Sequence, residues 1–484
     1  MKRTFLIIVL TALSVLNAQS EFQTFISKVY GAGSDADKNA VIDSFFIYAR
    51  TKGIPFVEGA SANFIYRENV SSATIAGDFN GWSSTASAMS KISGTNFFYK
   101  TMTFELDARL DYKFVTNASN WILDPENNNR VSGGFGPNSE LAMPDYIQPW
   151  EINYNPNINH GSILNSSIAS SNVGRTYALR IYLPAHYNDD STQRYNAVYF
   201  QDGGDYYSLA YIKNILDNII DSAKTDPLIA VLVTPNDRND EYAFNSRNKY
   251  SKFFAEELVP FIDNAYRTKG SRESRLVVGD SYGGNISAII SHQYPEVFGN
   301  CGIHSGAFQP NNYEVYNLIT STEKRDVKYS SVWGTYEGLQ NNMRNFRDVM
   351  IGKGNEFSWM EKHEGHSWGL WRATTDFIIE NIFPRTISSL NETKNTPTGF
   401  QLYQNYPNPF NPRTVIKFQV PSSKFIKLQV HDLLGGEIQT LANEYKSPGT
   451  YEVAFNAENL SSGMYFYTLT DGKYSLTKKM IVIK

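Results

Sequence analysis

Gly279-Asp280-Ser281-Tyr282-Gly283 is the segment richest in chemistry. A serine hydroxyl is a weak nucleophile at neutral pH; it needs a base beside it, and the base needs a third group to hold its tautomer. Residues 275–278 read as a strand before the serine and residues 284–290 as a helix after it. The small residues between them permit the tight turn of a nucleophile elbow, which lifts the Ser281 hydroxyl above the strand ends. The helix start also aims unpaired amides at any oxyanion formed there. The plain alternative is a glycine-lined turn with an idle serine.

For this kind of turn the chain order is serine, acid, histidine. His431 lies beyond a linker, and His304 ends a strand-like run, as a satisfied core histidine would. His363 and His366 both follow the strand read at 357–360, within Lys362-His363-Glu364-Gly365-His366-Ser367-Trp368. The glycine before it and the helix after Trp368 put His366 at a loop tip over the sheet edge, and it is the preferred base. Among the intervening acids Glu337 directly follows a strand (329–333), whereas Asp348 falls inside a helix and Asp326 precedes the strand. Glu337 is therefore the expected acid, a solvated loop carboxylate being the other reading. Tyr282 and Gly204, the latter in Gln201-Asp202-Gly203-Gly204-Asp205, are the expected oxyanion-hole amides, a plain turn being the other reading of the Gly204 loop. Trp368 and Trp371 could wall an acyl pocket or pack a helix onto the sheet.

The elements that must position these residues fall into blocks. The 484 residues are 41% hydrophobic and 19% charged, with a net charge of −4. That composition supports several cores and lacks the basic footprint of a nucleic-acid binder. One cysteine, Cys301, forbids an internal disulfide and reads as a small buried hydrophobe. Nothing calls for a metal or cofactor, since no His- or Cys-rich ligand cluster stands out. Residues 1–18, with Lys2 and Arg3 before an apolar run, read as a secretory signal peptide, and no later stretch suits a membrane span. Residues 19–149 read as a helix (37–52) plus a β-sandwich, with strands at 62–67, 72–75, 97–105 and 110–116. Residues 150–384 alternate strands (178–183, 197–200, 228–233, 275–278, 301–304, 329–333, 357–360) with helices (250–266, 285–292, 341–351, 370–382), which predicts a mostly parallel α/β sheet. Residues 385–399 read as a linker and 400–484 as a second β-sandwich.

At these motifs the central block resembles the putative-esterase family of α/β-hydrolases, which includes feruloyl and acetylxylan esterases of carbohydrate esterase family 1, mycolyltransferases and enterochelin esterases. The matching pieces are Asp202-Gly203, the Ser281 pentapeptide, Gly334-Thr335-Tyr336-Glu337 and Gly365-His366-Ser367-Trp368. The resemblance implies Ser281 as nucleophile, His366 as base, Glu337 as acid (some relatives carry Asp there), and the Gly204 and Tyr282 amides as oxyanion donors. Asp237-Arg238-Asn239-Asp240-Glu241-Tyr242 is similar to a cleft-lining loop of the siderophore-esterase branch, making Arg238 a substrate-binding candidate; a structural Arg–Glu pair is an equal reading.

The front block resembles early-set, family 48 carbohydrate-binding modules through Ala76-Gly77-Asp78-Phe79-Asn80-Gly81-Trp82 and Trp121-Ile122-Leu123-Asp124-Pro125. Trp82 or Trp121 could stack on a sugar, although for Trp82 a core position is the preferred reading. The rear block resembles the type A sorting domain of the type IX secretion system through Tyr406-Pro407-Asn408-Pro409-Phe410-Asn411-Pro412, Leu433-Leu434-Gly435, Leu460-Ser461-Ser462-Gly463-Met464-Tyr465 and Lys478-Lys479-Met480.

Together these imply an esterase, exported by that machinery to the medium or cell surface. Its substrate would be an esterified polysaccharide or oligosaccharide with feruloyl or acetyl groups. A catecholate-siderophore trilactone esterase, an acyltransferase and a non-catalytic glycan-binding protein are the alternatives.

Overall fold

The computed structural model describes residues 20–134, 136–385, 400–421, 424–433, 435–446, 449–472 and 474–483. The signal peptide read over 1–18 and linker residues 386–399 lie outside them. The chain divides into two compact units at residues 386/387.

Leu228–Val233 is buried at all six positions, which only a strand covered on both faces requires. It lies inside an eight-stranded sheet in the order Ser162–Ser170, Arg175–Leu183, Leu228–Val233, Asn196–Phe200, Arg275–Asp280, Asn300–His304, Lys328–Gly334, Phe357–Lys362. The first three strands pair antiparallel and the remaining five pairings are parallel. One core packs on each face. Asn196–Phe200 and Arg275–Asp280 are neighbours although far apart in sequence, so the loops leaving their C-terminal ends, residues 201–205 and the Ser281 turn, meet at a topological switch point.

The strand Ser162–Ser170 is not predicted by the apolar pattern of the sequence. That strand is mostly exposed at the sheet edge and rich in Ser and Asn, so it carries little of the apolar signal of its neighbours. The helices Gly203–Ser208, Ile212–Asp221 and Pro310–Ser321 were likewise not expected. The helix expected over 250–266 is Arg247–Phe253, a π-turn at Phe254–Leu258 and Val259–Ala265, with Pro260, which lacks an N–H, just after the π-turn.

In the front block a four-stranded and a five-stranded sheet share one apolar core. The other face of the four-stranded sheet packs through Phe56, Ile65 and Phe97 on two helices, Glu21–Tyr30 and Asp35–Lys52. Only the second helix was expected; the first is capped by Ser20, whose hydroxyl accepts from the Gln23 amide. In the rear unit three-stranded and four-stranded sheets enclose a core around Phe418, Leu428, Val430 and Tyr467.

At the elbow, a Cβ on Gly279 would come within 2.5 Å of the Gly283 carbonyl group. Gly279→Ala therefore forces strand and helix apart, at a cost of ~1–3 kcal/mol. The expected outcome is a lower urea midpoint than wild type at unchanged slope; an unchanged midpoint would show that the turn has slack.

Candidate active site

Ser281 stands between the strand Arg275–Asp280 and the helix Tyr282–Gln293 with φ 54° and ψ −117°. That left-sided conformation is strained for any side chain larger than glycine. Its backbone is tied on both sides: the Ser281 amide donates to the His304 carbonyl (2.9 Å), and the Ser281 carbonyl accepts from Ala307 (3.0 Å) and Gly284 (3.1 Å). The Tyr282 amide is the first of its helix, where no intrahelical acceptor exists. Gly204 is second in the short helix Gly203–Ser208, one residue before Asp205, which lines the cavity next to Ser281.

His366 Nε2 lies 2.9 Å from Ser281 Oγ, and its Nδ1 lies 3.1 Å from Glu337 Oε2. With Nδ1–H donating to the carboxylate, Nε2 is free to accept the serine proton. The Glu337 side chain is fully buried, whereas the imidazole is about one-third exposed toward the cavity. Trp371 meets the His366 ring edge-on at 5.0 Å and 89° and donates from Nε1 to Ser305 Oγ at 3.0 Å. Trp368 and Trp371 are both buried in the core and both line the cavity, so packing and pocket-wall readings hold together.

The competing histidines are engaged elsewhere. His304 is buried against Tyr206 Oη (2.8 Å), and burial lowers its imidazole to about 3. His363 pairs with Asp107 of the front block at 2.7 Å. His292, inside the helix that follows the elbow, contacts Thr322 Oγ1 at 3.0 Å. Cys301 is buried in the core, which pushes its thiol up to about 12.

Arg238 forks onto Asp202, with Nε and Nη2 each 2.8 Å from a carboxylate oxygen, and its Nη2 lies 3.5 Å from Asp280 Oδ2. The structural pair is thus Arg–Asp; Glu241 instead accepts from Tyr177 (2.8 Å) and from the Asn236 amide (3.0 Å). Arg238 still lines the cavity. Burial, reinforced by Asp202, raises the Asp280 carboxyl well above the usual range.

The cavity measures about 730 Å³, and its far wall comes from the front block: Asp78, Trp82, Asp111, Lys113, Trp121 and Asn138 line it together with Ser281 and His366. Strand alternation explains this. On Arg109–Thr116, Leu110, Tyr112 and Phe114 point into the core between the front sheets, leaving Arg109, Asp111 and Lys113 on the opposite face. Trp82 is half-buried at the cavity with Nε1 donating to Asp78 Oδ1 at 3.0 Å, which corrects the core reading; Trp121 is exposed.

Glu364 is buried beneath the His366 loop, 3.7 Å from Arg109, and no hydrogen bond reaches either of its oxygens. Burial pushes its carboxyl up to about 7 despite Arg109 and Lys362, with Asp111 and Glu140 adding to the rise. Asp78, also buried and facing Asp111, is pushed up to about 8.

A parallel-stranded α/β domain with a serine–histidine–carboxylate chain at its switch point is of the hydrolase class. Residues 170–375 match the family described as "Putative esterase", and residues 404–484 match the secretion system C-terminal sorting domain. The chain carries an esterase domain of that family followed by a type IX sorting domain, which directs it to secretion or the cell surface.

Over 214 residues it is 30% identical to the endo-1,4-beta-xylanase/feruloyl esterase of Xylanibacter ruminicola, covering 42% of this chain and 29% of that relative. It is 27% identical over 179 residues to the uncharacterized protein YjcH of Bacillus subtilis, covering 36% of this chain and 72% of YjcH. The enterobactin esterase of Shigella flexneri shares the fold over 66% of this chain and 92% of its own, with a TM-score of 0.57 at 17% identity. No helix among the described residues is long and apolar enough to cross a membrane.

Between the ordinary carboxyl value of 4.5 and about 7, folded Glu364 keeps a proton that the unfolded chain has released. Stability contributed by this group is therefore lost as pH rises through that window. Melting temperatures at pH 5 and pH 8 should fall less in Glu364→Gln than in wild type; equal falls would refute the assignment.

Proposed function

We propose that this protein is a secreted serine carboxylesterase that removes acyl groups, feruloyl or acetyl, from plant polysaccharide through an acyl-enzyme. The observation that carries the reading is the Ser281–His366–Glu337 hydrogen-bond chain opening into a cavity with aromatic walls. Ser281 Oγ attacks the ester carbonyl while its proton passes to His366 Nε2, and Glu337 stabilises the imidazolium formed. The oxyanion rests on the Tyr282 and Gly204 amides, each such donor being worth ~3 kcal/mol. His366 then protonates the leaving alcohol as the C–O bond breaks, and a water activated by the same imidazole releases the acid. Similarity to a xylanase/feruloyl esterase and the sorting tail support a polymer substrate outside the cell. The indoles Trp82 and Trp121 offer apolar faces for a sugar or aryl ring.

A second reading, cleavage of a catecholate-siderophore trilactone, is favoured by the cations Arg238 and Lys113 on the cavity wall. Initial rates on methyl ferulate, acetylated xylan and enterochelin decide between the two, the faster substrate naming the branch. Ser281→Ala should lower kcat on the preferred ester by at least about 10⁴-fold with the melting temperature retained; tight glycan binding together with ester turnover equal in wild type and variant would instead favour a non-catalytic glycan-binding protein. Trp121→Ala should raise KM on a feruloylated oligosaccharide roughly fivefold, a stacking loss of ~1 kcal/mol, while leaving methyl ferulate unchanged. An equal effect on both esters would remove the sugar-facing role.

A further inference from the structure

The structure assigns to Arg109, a residue of the front block, the positioning of His366 in the esterase domain; the inference rests on the serine-esterase reading. Arg109 is buried and grips the loop that carries the imidazole at both ends. Its backbone amide donates to the His363 carbonyl at 3.0 Å, and its Nη1 donates to Ser367 Oγ at 3.2 Å, on the residue that follows His366. Gly369, two residues after Ser367, has no room for a Cβ because the guanidinium occupies that space. The guanidinium is itself fixed by Asp111 (Nη2 to Oδ1, 2.6 Å) and Glu140 (Nε to Oε2, 2.8 Å), both from the same front sheet.

Two further contacts brace the same loops. The Asp78 carboxyl fills the position of a Cβ at Gly365, immediately before His366. Tyr336, adjacent to Glu337, donates its hydroxyl to Glu105 of the front block at 2.6 Å. The histidine and glutamate loops are also joined, Thr335 N to Lys362 O (2.9 Å) and Tyr336 N to Glu364 O (3.0 Å). The front block thus abuts both partners of Ser281. Since a 1 Å misplacement can cost about 10²-fold in rate, a rigid ionic grip on this loop is a kinetic device as well as an interface.

The test is a double-mutant cycle in the full-length protein with Arg109→Lys, which keeps the buried charge but loses the fork, and Ser367→Ala, which deletes one acceptor at little structural cost. Each single variant should lower kcat on 4-nitrophenyl acetate roughly tenfold with KM within twofold of wild type, and Ser367→Ala should keep the wild-type melting temperature. The double variant should be no slower than Arg109→Lys alone, because both changes break the same contact. Wild-type kcat in Ser367→Ala, or strictly multiplicative losses in the double variant, would overturn the inference. Ser281→Ala run alongside separates the two levels: activity surviving that change refutes the serine mechanism itself, whereas an inactive Ser281→Ala beside fully active Arg109→Lys and Ser367→Ala refutes only the role of Arg109.

Discussion

A serine held at φ 54° and ψ −117° lies in a conformation that an isolated chain would leave at once. What keeps it there is the pairing of its strand with Asn300–His304 and the bonds from its own peptide groups to His304 and Ala307. Strand and helix approach so closely at Gly279 that a Cβ there would meet the Gly283 carbonyl group. The central sheet therefore works as a clamp, storing strain at one residue and distributing its support over two strands and a helix. Pre-organisation of this kind leaves little reorganisation for the moment of reaction.

The imidazole is held by a different principle. His366 lies on a loop, and a loop needs outside contacts to stay within hydrogen-bonding range of two partners. Those contacts are polar and buried: Arg109 among Asp111, Glu140 and Glu364. A buried guanidinium is tolerable only when carboxylates surround it, and the surplus acid is accommodated by Glu364 retaining its proton to about 7. Charge balance under the loop and geometry above it are thus coupled. The same front sheet continues outward as a cavity wall, so support of the histidine and shaping of the pocket come from one strand, Arg109–Thr116.

Much of this was legible in the sequence because the signals were local. Continuous apolar residues marked the buried strands at 228–233 and 276–278, and the two flanking glycines marked the elbow. The Ser162–Ser170 edge strand left no such signal, since an exposed edge tolerates Ser and Asn at most positions. Arg109, Asp111 and Lys113 were invisible for a sharper reason. Alternating charged residues on a strand read as a solvent face, and the chain alone does not say that this face is covered by another domain. Trp82 was assigned to a core on the same local logic, whereas it stands at the cavity.

By itself, then, the order of residues determined which groups have the chemistry, where the strained turn falls and which segments become strands, because these follow from side-chain type and short-range periodicity. Tertiary structure alone decided that Arg238 forks onto Asp202 and that the front block braces the histidine loop. Those outcomes depend on contacts between residues as much as 258 positions apart. Such distances are set by the packing of whole sheets, to which no local pattern gives access.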